Sequence, residues 1–259
     1  MIFTTTAGLR MHWDERGSGS PVLLVMGAAY SSRMWYPVVD ALAEHHRVIW
    51  FDNRGIGQSE ASKVGTIEDM TNDALAVLDA AGVEKAAIYG VSLGGVVTLQ
   101  LALQAPERVT ALVLGCTGIL DVDKPRAPKV VNLLARLPRW ALTFLSKGGY
   151  GSAALPEAVA RGQATMRTDR ASSVGLVQQQ NALRAYSVTK DEIAGITAPA
   201  LVLHGTEDKT VPMAAGAELA ETLPHVTYVT YEGAGHNFLA SYSVQANADV
   251  LAFLDGAGV

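Results

Sequence analysis

Five residues, Gly90-Val91-Ser92-Leu93-Gly94, stand between a β-branched apolar run, Ala86–Tyr89, and a stretch of helical period, Leu93–Gln104. A chain that leaves a buried strand and enters a helix so quickly must turn sharply. The central residue is then forced into strained backbone, with its side chain exposed at the carboxyl end of the strand. Glycine is needed on either side, because a side chain there would collide with the neighbouring strand or helix. Gly-x-Ser-x-Gly specifies only three positions, and in isolation it fits any turn rich in glycine and serine. Between a strand and a helix it demands a sheet whose strands feed into helices.

The rest of the chain keeps that rhythm. Short strands are expected at Phe3–Thr6 and Met11–Glu15, followed by Pro21–Met26, Arg47–Asp52, Val109–Gly115, Ala200–Leu203 and Thr227–Tyr231. Helical period is found at Trp35–Glu44, Ile67–Ala81 (closed by Gly82 as a C-cap), Ala214–Thr222 and Ser243–Leu254. Such alternation argues for βαβ units and a mostly parallel sheet. From Asp121 to Lys190 the strand signals stop, and Pro125, Pro128, Pro138 and Pro156 break the segment into short helical pieces. The expected organisation is an α/β core, residues 1–120 and 191–259, carrying a helical insertion at 121–190 after the sixth strand.

A serine hydroxyl is a poor nucleophile until a base takes its proton, and the base needs an orienting carboxylate. Ser92 is the candidate nucleophile, and the N–H of Leu93 can face a developing oxyanion. After the strand ALVL comes the turn His204–Pro212, with Asp208 as the candidate acid. Glu207 reads instead as a solvated turn residue, while Asp121 and Asp123 occupy a less common place for the acid. After the strand TYVTY comes Glu232–Phe238, with His236 as the candidate base. Both turns fall at strand carboxyl ends, where open α/β sheets place their sites. Of the other histidines, His12, His45, His46 and His225 are expected at the surface, and His204 beneath the acid loop. The loop after Pro21–Met26 should supply a second oxyanion donor, with Gly27 allowing the turn and Ala28 N–H donating. Ser31 and Ser32 could cap the helix that follows. Gly27, Trp35, Trp140 and Phe238 are candidate substrate contacts, and Trp35 reads equally well as a pocket wall or as core.

These residues together resemble the α/β-hydrolase superfamily over essentially the whole chain. Asp52-Asn53-Arg54-Gly55-Ile56-Gly57-Gln58-Ser59 looks like the family's D-x-R-G-x-G-x-S turn, which is mainly structural. The stretch from Gly90 to Thr117 is similar to the 3-oxoadipate enol-lactonase and cofactor-free haloperoxidase-like esterases. The resemblance implies an α/β-hydrolase fold with about eight strands, a lid at 121–190, and ester or lactone hydrolysis through an acyl-enzyme. It also implies no metal or organic cofactor. Epoxide hydrolases and haloalkane dehalogenases share the fold but place Asp where this chain has Ser92. Where the family commonly has His-Gly, this chain has Met26-Gly27, which makes the pocket floor more apolar.

Composition narrows the alternatives. With 49% hydrophobic residues the chain is not disordered, and its net charge of −5 gives no basic footprint for nucleic acid. That total hides a contrast. Segment 121–190 holds eleven Lys and Arg against four Asp and Glu, a balance of +7 that leaves −12 on the rest. Its basic residues are either solvated helix faces or include an arginine turned toward the pocket to steer an anionic acyl group. The single cysteine, Cys116, excludes an internal disulfide. No run approaches the roughly 18 apolar residues of a membrane span. The first residues lack the pattern of a signal peptide, so the expectation is a cytoplasmic enzyme with a small-molecule ester or lactone substrate. The same Ser-Asp-His set could serve perhydrolysis, acyl transfer or C–C bond hydrolysis. A ligand receptor built on the fold is the alternative from another class.

Overall fold

The computed structural model describes residues 1–5, 7–62, 65–122, 149–168 and 172–259. Its strands are β1 (Ile2–Thr4), β2 (Arg10–Arg16), β3 (Pro21–Val25), β4 (Arg47–Phe51), β5 (Ala86–Val91), β6 (Val109–Gly115), β7 (Ala200–Gly205) and β8 (Val226–Tyr231). They form one eight-stranded sheet in the order β1-β2-β4-β3-β5-β6-β7-β8. β2 runs antiparallel to both its neighbours, and the other pairings are parallel. Every residue of β5 and β7 is buried, because helices cover both sheet faces. Alternate side chains divide between the two faces. Leu23, Val25, Ile88, Leu112 and Val202 join one apolar cluster, and Val22, Leu24, Tyr89, Val113 and Leu203 join the other.

The helices are α1 (Val39–Ala43), α2 (Ile67–Ala80), α3 (Leu93–Gln104), α4 (Pro156–Thr168), α5 (Ser173–Ala185), α6 (Lys190–Ala194), α7 (Met213–Thr222), α8 (Phe238–Ser241) and α9 (Ser243–Gly256). α2 and α3 pack Met70, Val77, Val97 and Leu101 into the first cluster, while α1 and α9 pack Leu42, Val250 and Leu254 into the second. A capping box opens α2: Thr66 Oγ1 accepts from Asp69 N, and Asp69 returns an acceptor to Thr66 N.

The expected helix Trp35–Glu44 is broken. Ser32–Trp35 is a single 3-10 turn and α1 begins only at Val39, because Pro37 lacks the N–H that a continuous helix needs. The short α8 has no counterpart in the sequence reading. His46 is buried, at 6% exposure, rather than at the surface; His12 is half-buried within β2, and His45 and His225 are exposed.

The turn after β4 is a structural knot. Arg54 Nε and Nη2 donate to the two Asp73 oxygens at 2.7 and 3.0 Å, and Nη2 also reaches Asp69 O at 2.9 Å. Both members of the pair are buried. Removing one partner strands a buried charge, so Asp73→Ala is expected to lower the unfolding free energy by about 3 kcal/mol, read by urea denaturation. The double variant Arg54→Met/Asp73→Leu should recover most of that loss, since an apolar pair needs no desolvation of charge.

After β6 comes segment 121–190, near whose ends Asp121 bridges Val188 and Val188 N donates to Leu120 O at 3.0 Å. Trp140, the apolar residues Leu133, Leu137, Leu142, Phe144 and Leu145, and Asp123 lie outside the described residues. So do the basic residues Lys124, Arg126, Lys129, Arg136, Arg139, Lys147 and Arg170. Among the described residues no helix is long and apolar enough to cross a membrane.

Candidate active site

Strand order reverses at β3, which has β4 on one side and β5 on the other. The loops after β3 and β5 therefore lie side by side at the carboxyl edge of the sheet, the crevice where open α/β sheets take ligands. Ser92 follows β5 with φ 55° and ψ −119°, and α3 begins at the next residue. This strained turn is possible only because Gly94 lets α3 press against β3: a Cβ there would overlap the Val25 carbonyl. Ser92 N donates to Gly115 O at 2.8 Å, and Thr117 Oγ1 donates to Ser92 O at 3.0 Å. Leu93, at the first position of α3, has no intrahelical acceptor for its N–H.

His236, in the turn after β8, links two of the other candidates. Its Nε2 lies 3.1 Å from Ser92 Oγ and its Nδ1 2.7 Å from Asp208 Oδ2. The other Asp208 oxygen accepts from Thr210 N and Val211 N at 2.8 and 2.9 Å. Burial opposes ionisation of Asp208. Hydrogen bonds from His204 and His236, the His236 charge and the Val211 N–H outweigh it and hold the carboxyl well below the usual carboxylate range. Burial likewise pushes His236 down, but the neighbouring Cys116 and Asp208 overcome it and raise its pKa. His204 is fully buried beneath the acid loop and donates through Nε2 to Val211 O at 2.9 Å.

The remaining candidates separate. Gly27, Ala28 and Phe238 line a cavity that opens on Ser92 and His236. Trp35 does not: it is fully buried, its ring 4.9 Å from Tyr89, and it belongs to the core. Phe238 stacks on Tyr231 at 5.3 Å. Glu207 is a tether, accepting from both Ser152 N and Ser152 Oγ at 2.8 and 2.7 Å. Asp121 is held in a bridge to Val188.

Several cavity residues were not singled out from sequence. Tyr30, Met34, Tyr36, Leu239 and Cys116 join Met26, read from the sequence as an apolar pocket floor, in a wall that is predominantly apolar. Cys116 follows the carboxyl end of β6, so its strand position was a signal available in the sequence. The Tyr36 hydroxyl is buried with no hydrogen-bond partner among the described residues, and the Arg161 guanidinium of α4 sits 4.3 Å over the Tyr36 ring. One arginine of segment 121–190 therefore leans on the cavity wall. Among the described residues, Cys116, Asp208 and His236 bring metal-capable atoms within 4.8 Å of one another. Asp208 and His236 are already committed to each other, so the set favours proton transfer over ion binding.

Residues 20–241 match the model of the family described as the alpha/beta hydrolase fold. A protein of Variovorax paradoxus named as a carbamate hydrolase, RutD, is 32% identical, with 94% of this chain and 96% of the relative covered. A Mycobacterium tuberculosis protein named as a non-heme bromoperoxidase, BpoC, is 30% identical over 88% of this chain and 91% of its own length. Among solved structures, the enol-lactonase from Burkholderia xenovorans superposes with a TM-score of 0.87 at 27% identity, covering 98% of this chain and 100% of that one.

Proposed function

The chain belongs to the α/β-hydrolase family, and from that premise we propose that it is a serine hydrolase cleaving a small or medium carboxylic ester or lactone through an acyl-enzyme. The observation that carries the proposal is the unbroken hydrogen-bond chain from Ser92 Oγ through His236 to the buried Asp208.

In this reading Ser92 Oγ attacks the carbonyl carbon while His236 Nε2 takes its proton. Asp208 holds the imidazole in the tautomer with its free Nε2 toward serine and stabilises the imidazolium that forms. The negative oxygen is received by the N–H groups of Leu93 and Ala28, one from each of the adjacent loops. His236 then returns the proton to the leaving alkoxide, activates water, and the acyl group departs as a carboxylic acid. Segment 121–190 serves as the lid. Arg161, stacked on the cavity-lining Tyr36, favours acyl groups that end in an anion.

A carbamate carbonyl in place of the ester is the second reading, favoured by the relative named as a carbamate hydrolase. The same acyl-enzyme accepts peroxide, an alcohol or water, and product analysis with competing nucleophiles assigns the acceptor.

The test is a fluorogenic panel of esters, lactones and carbamates, alongside an active-site-directed phosphonate. The phosphonate should modify Ser92 stoichiometrically in folded protein, identified by peptide mass. Within the panel, half-esters of dicarboxylic acids should exceed neutral esters of equal length in kcat/KM. Labelling elsewhere, or none at all, would remove Ser92 as nucleophile.

A further inference from the structure

The loop that follows β3 has to present the Ala28 N–H to the substrate oxygen, yet it has no regular structure of its own from Met26 to Ser31. Three buried side chains hold it instead. Asn53 Nδ2 donates to Met26 O at 2.8 Å, and Asp52 Oδ1 accepts from Ser32 N at 2.8 Å. Both belong to the turn after β4, part of the sheet scaffold. The third is Gln179, whose Oε1 accepts from Ala29 N at 2.8 Å across 150 residues of chain.

That third contact falls on the strained point of the loop. Ala29 has φ 67°, in the left-handed region that residues with a Cβ rarely occupy. Its N–H belongs to the peptide plane immediately after Ala28, so the Gln179 bond fixes the orientation of that plane. Gln179 itself is fully buried on α5 and does not line the cavity. It therefore has no route to substrate except through the loop.

The helix that carries it is pinned at both ends. Ser172, its N-cap, donates through N and Oγ to Gly55 O, and Tyr186 at its far end donates through its hydroxyl to Gln100 Oε1 of α3 at 2.8 Å. Gly55 and Gly175 touch backbone to backbone, with no room for a Cβ on either. α5 is thus a strut between the β4 turn and α3, with Gln179 midway along it.

We propose that Gln179 is a positioning residue for the oxyanion hole, holding the Ala28–Ala29 peptide in its strained orientation so that Ala28 N–H faces the carbonyl oxygen above Ser92. The inference rests on the serine-hydrolase reading. It adds that the insertion contributes to catalytic competence as well as to substrate selection. The bond uses the side-chain oxygen alone, so an acceptor of the same reach should suffice.

Gln179→Leu, Gln179→Met and Gln179→Glu separate the possibilities. In Gln179→Leu and Gln179→Met, kcat for an ester substrate should fall about 10²-fold with KM within about twofold of the parent, because a small misplacement of a donor is felt only in the transition state. Affinity for a boronic-acid transition-state analogue should fall by a similar factor. Gln179→Glu, which keeps the acceptor, should restore most of kcat. Equal losses in Gln179→Glu and Gln179→Leu would overturn the proposal, as would a rise in KM with kcat unchanged. Loss of a cooperative melt in both apolar variants would also overturn it, by assigning the bond to fold stability alone. Ser92→Ala serves as the separate control. If it retains full hydrolysis, the serine reading itself fails; if it is inactive while Gln179→Leu keeps parental kcat, only the role of Gln179 fails.

Discussion

Ser92→Ala is expected to lower kcat for ester hydrolysis on the order of 10⁶-fold while leaving the melting temperature close to that of the parent. The size follows from the absence of any substitute: with the hydroxyl gone, no acyl-enzyme forms, and His236 can only assist direct attack by water. Cys116 does not replace it, because its sulfur sits beside His236 in a different turn, after β6 rather than β5. The residual rate should remain above that in buffer, since the Leu93 and Ala28 N–H groups proposed as oxyanion donors are untouched. Thermal stability should hold because Ser92 keeps its place through its backbone, to Gly115 O and from Thr117 Oγ1, and neither bond uses the side chain. Single-turnover kinetics with a chromogenic ester, with melting followed by circular dichroism, checks both halves. A variant retaining a tenth of parental kcat would mean that another group performs the attack.

Asp208→Asn should cost about 10⁴-fold in kcat, because an amide can donate to Nδ1 and so stabilise the wrong imidazole tautomer. It should also move the pH profile. Hydrolysis needs His236 neutral, and this histidine's pKa is raised in the folded enzyme by Cys116 and Asp208 acting against burial. Activity in the parent therefore falls as pH drops through that raised value, and the acid limb of kcat/KM lies above the ordinary histidine range. Without the Asp208 charge the imidazolium loses one of its supports, so the acid limb of the variant should shift to lower pH. A kcat/KM profile for parent and variant decides the point. An unmoved limb would mean that the titrating group is not His236.

The sheet and the three members of the hydrogen-bond chain were legible for a common reason. The central strands β5 and β7, AAIYGV and ALVLHG, are buried on both faces and read as continuous apolar runs. Ser92 and Asp208 follow such runs, while His236 follows the half-buried β8, whose β-branched and aromatic residues mark it as a strand, and parallel strands deliver all three loops to the same edge. Local chemistry also carried Gly82, whose φ of 67° past the end of α2 is that of a C-cap glycine. Where two local signals competed, the reading failed. The apolar period through Trp35–Glu44 overrode Pro37, whose missing N–H breaks the helix. Trp35 was evenly balanced because an aromatic residue near a loop carries no mark of which way it faces. The contacts from Gln179 to Ala29 and from Glu207 to Ser152 left no trace in periodicity. They join segments far apart in the chain through a single side chain each, and their partners are set only once helices have docked.

The loop carrying His236 has a second consequence. Gly235 N donates to Tyr150 O at 3.0 Å, Asn237 N to Gly149 O at 2.6 Å, and Ala153 N to Gly233 O at 2.9 Å. His236 is thus bracketed, on both sides along the chain, by main-chain bonds to residues 149–153. A cut at residues 121 and 190 would take with it the strip of backbone that holds His236 in line with Ser92. Segment 121–190, proposed as the lid, is therefore not an exchangeable cassette. A chimera that replaces segment 121–190 to change substrate range must retain residues 149–153, or rebuild their hydrogen bonds, before its new pocket can be used.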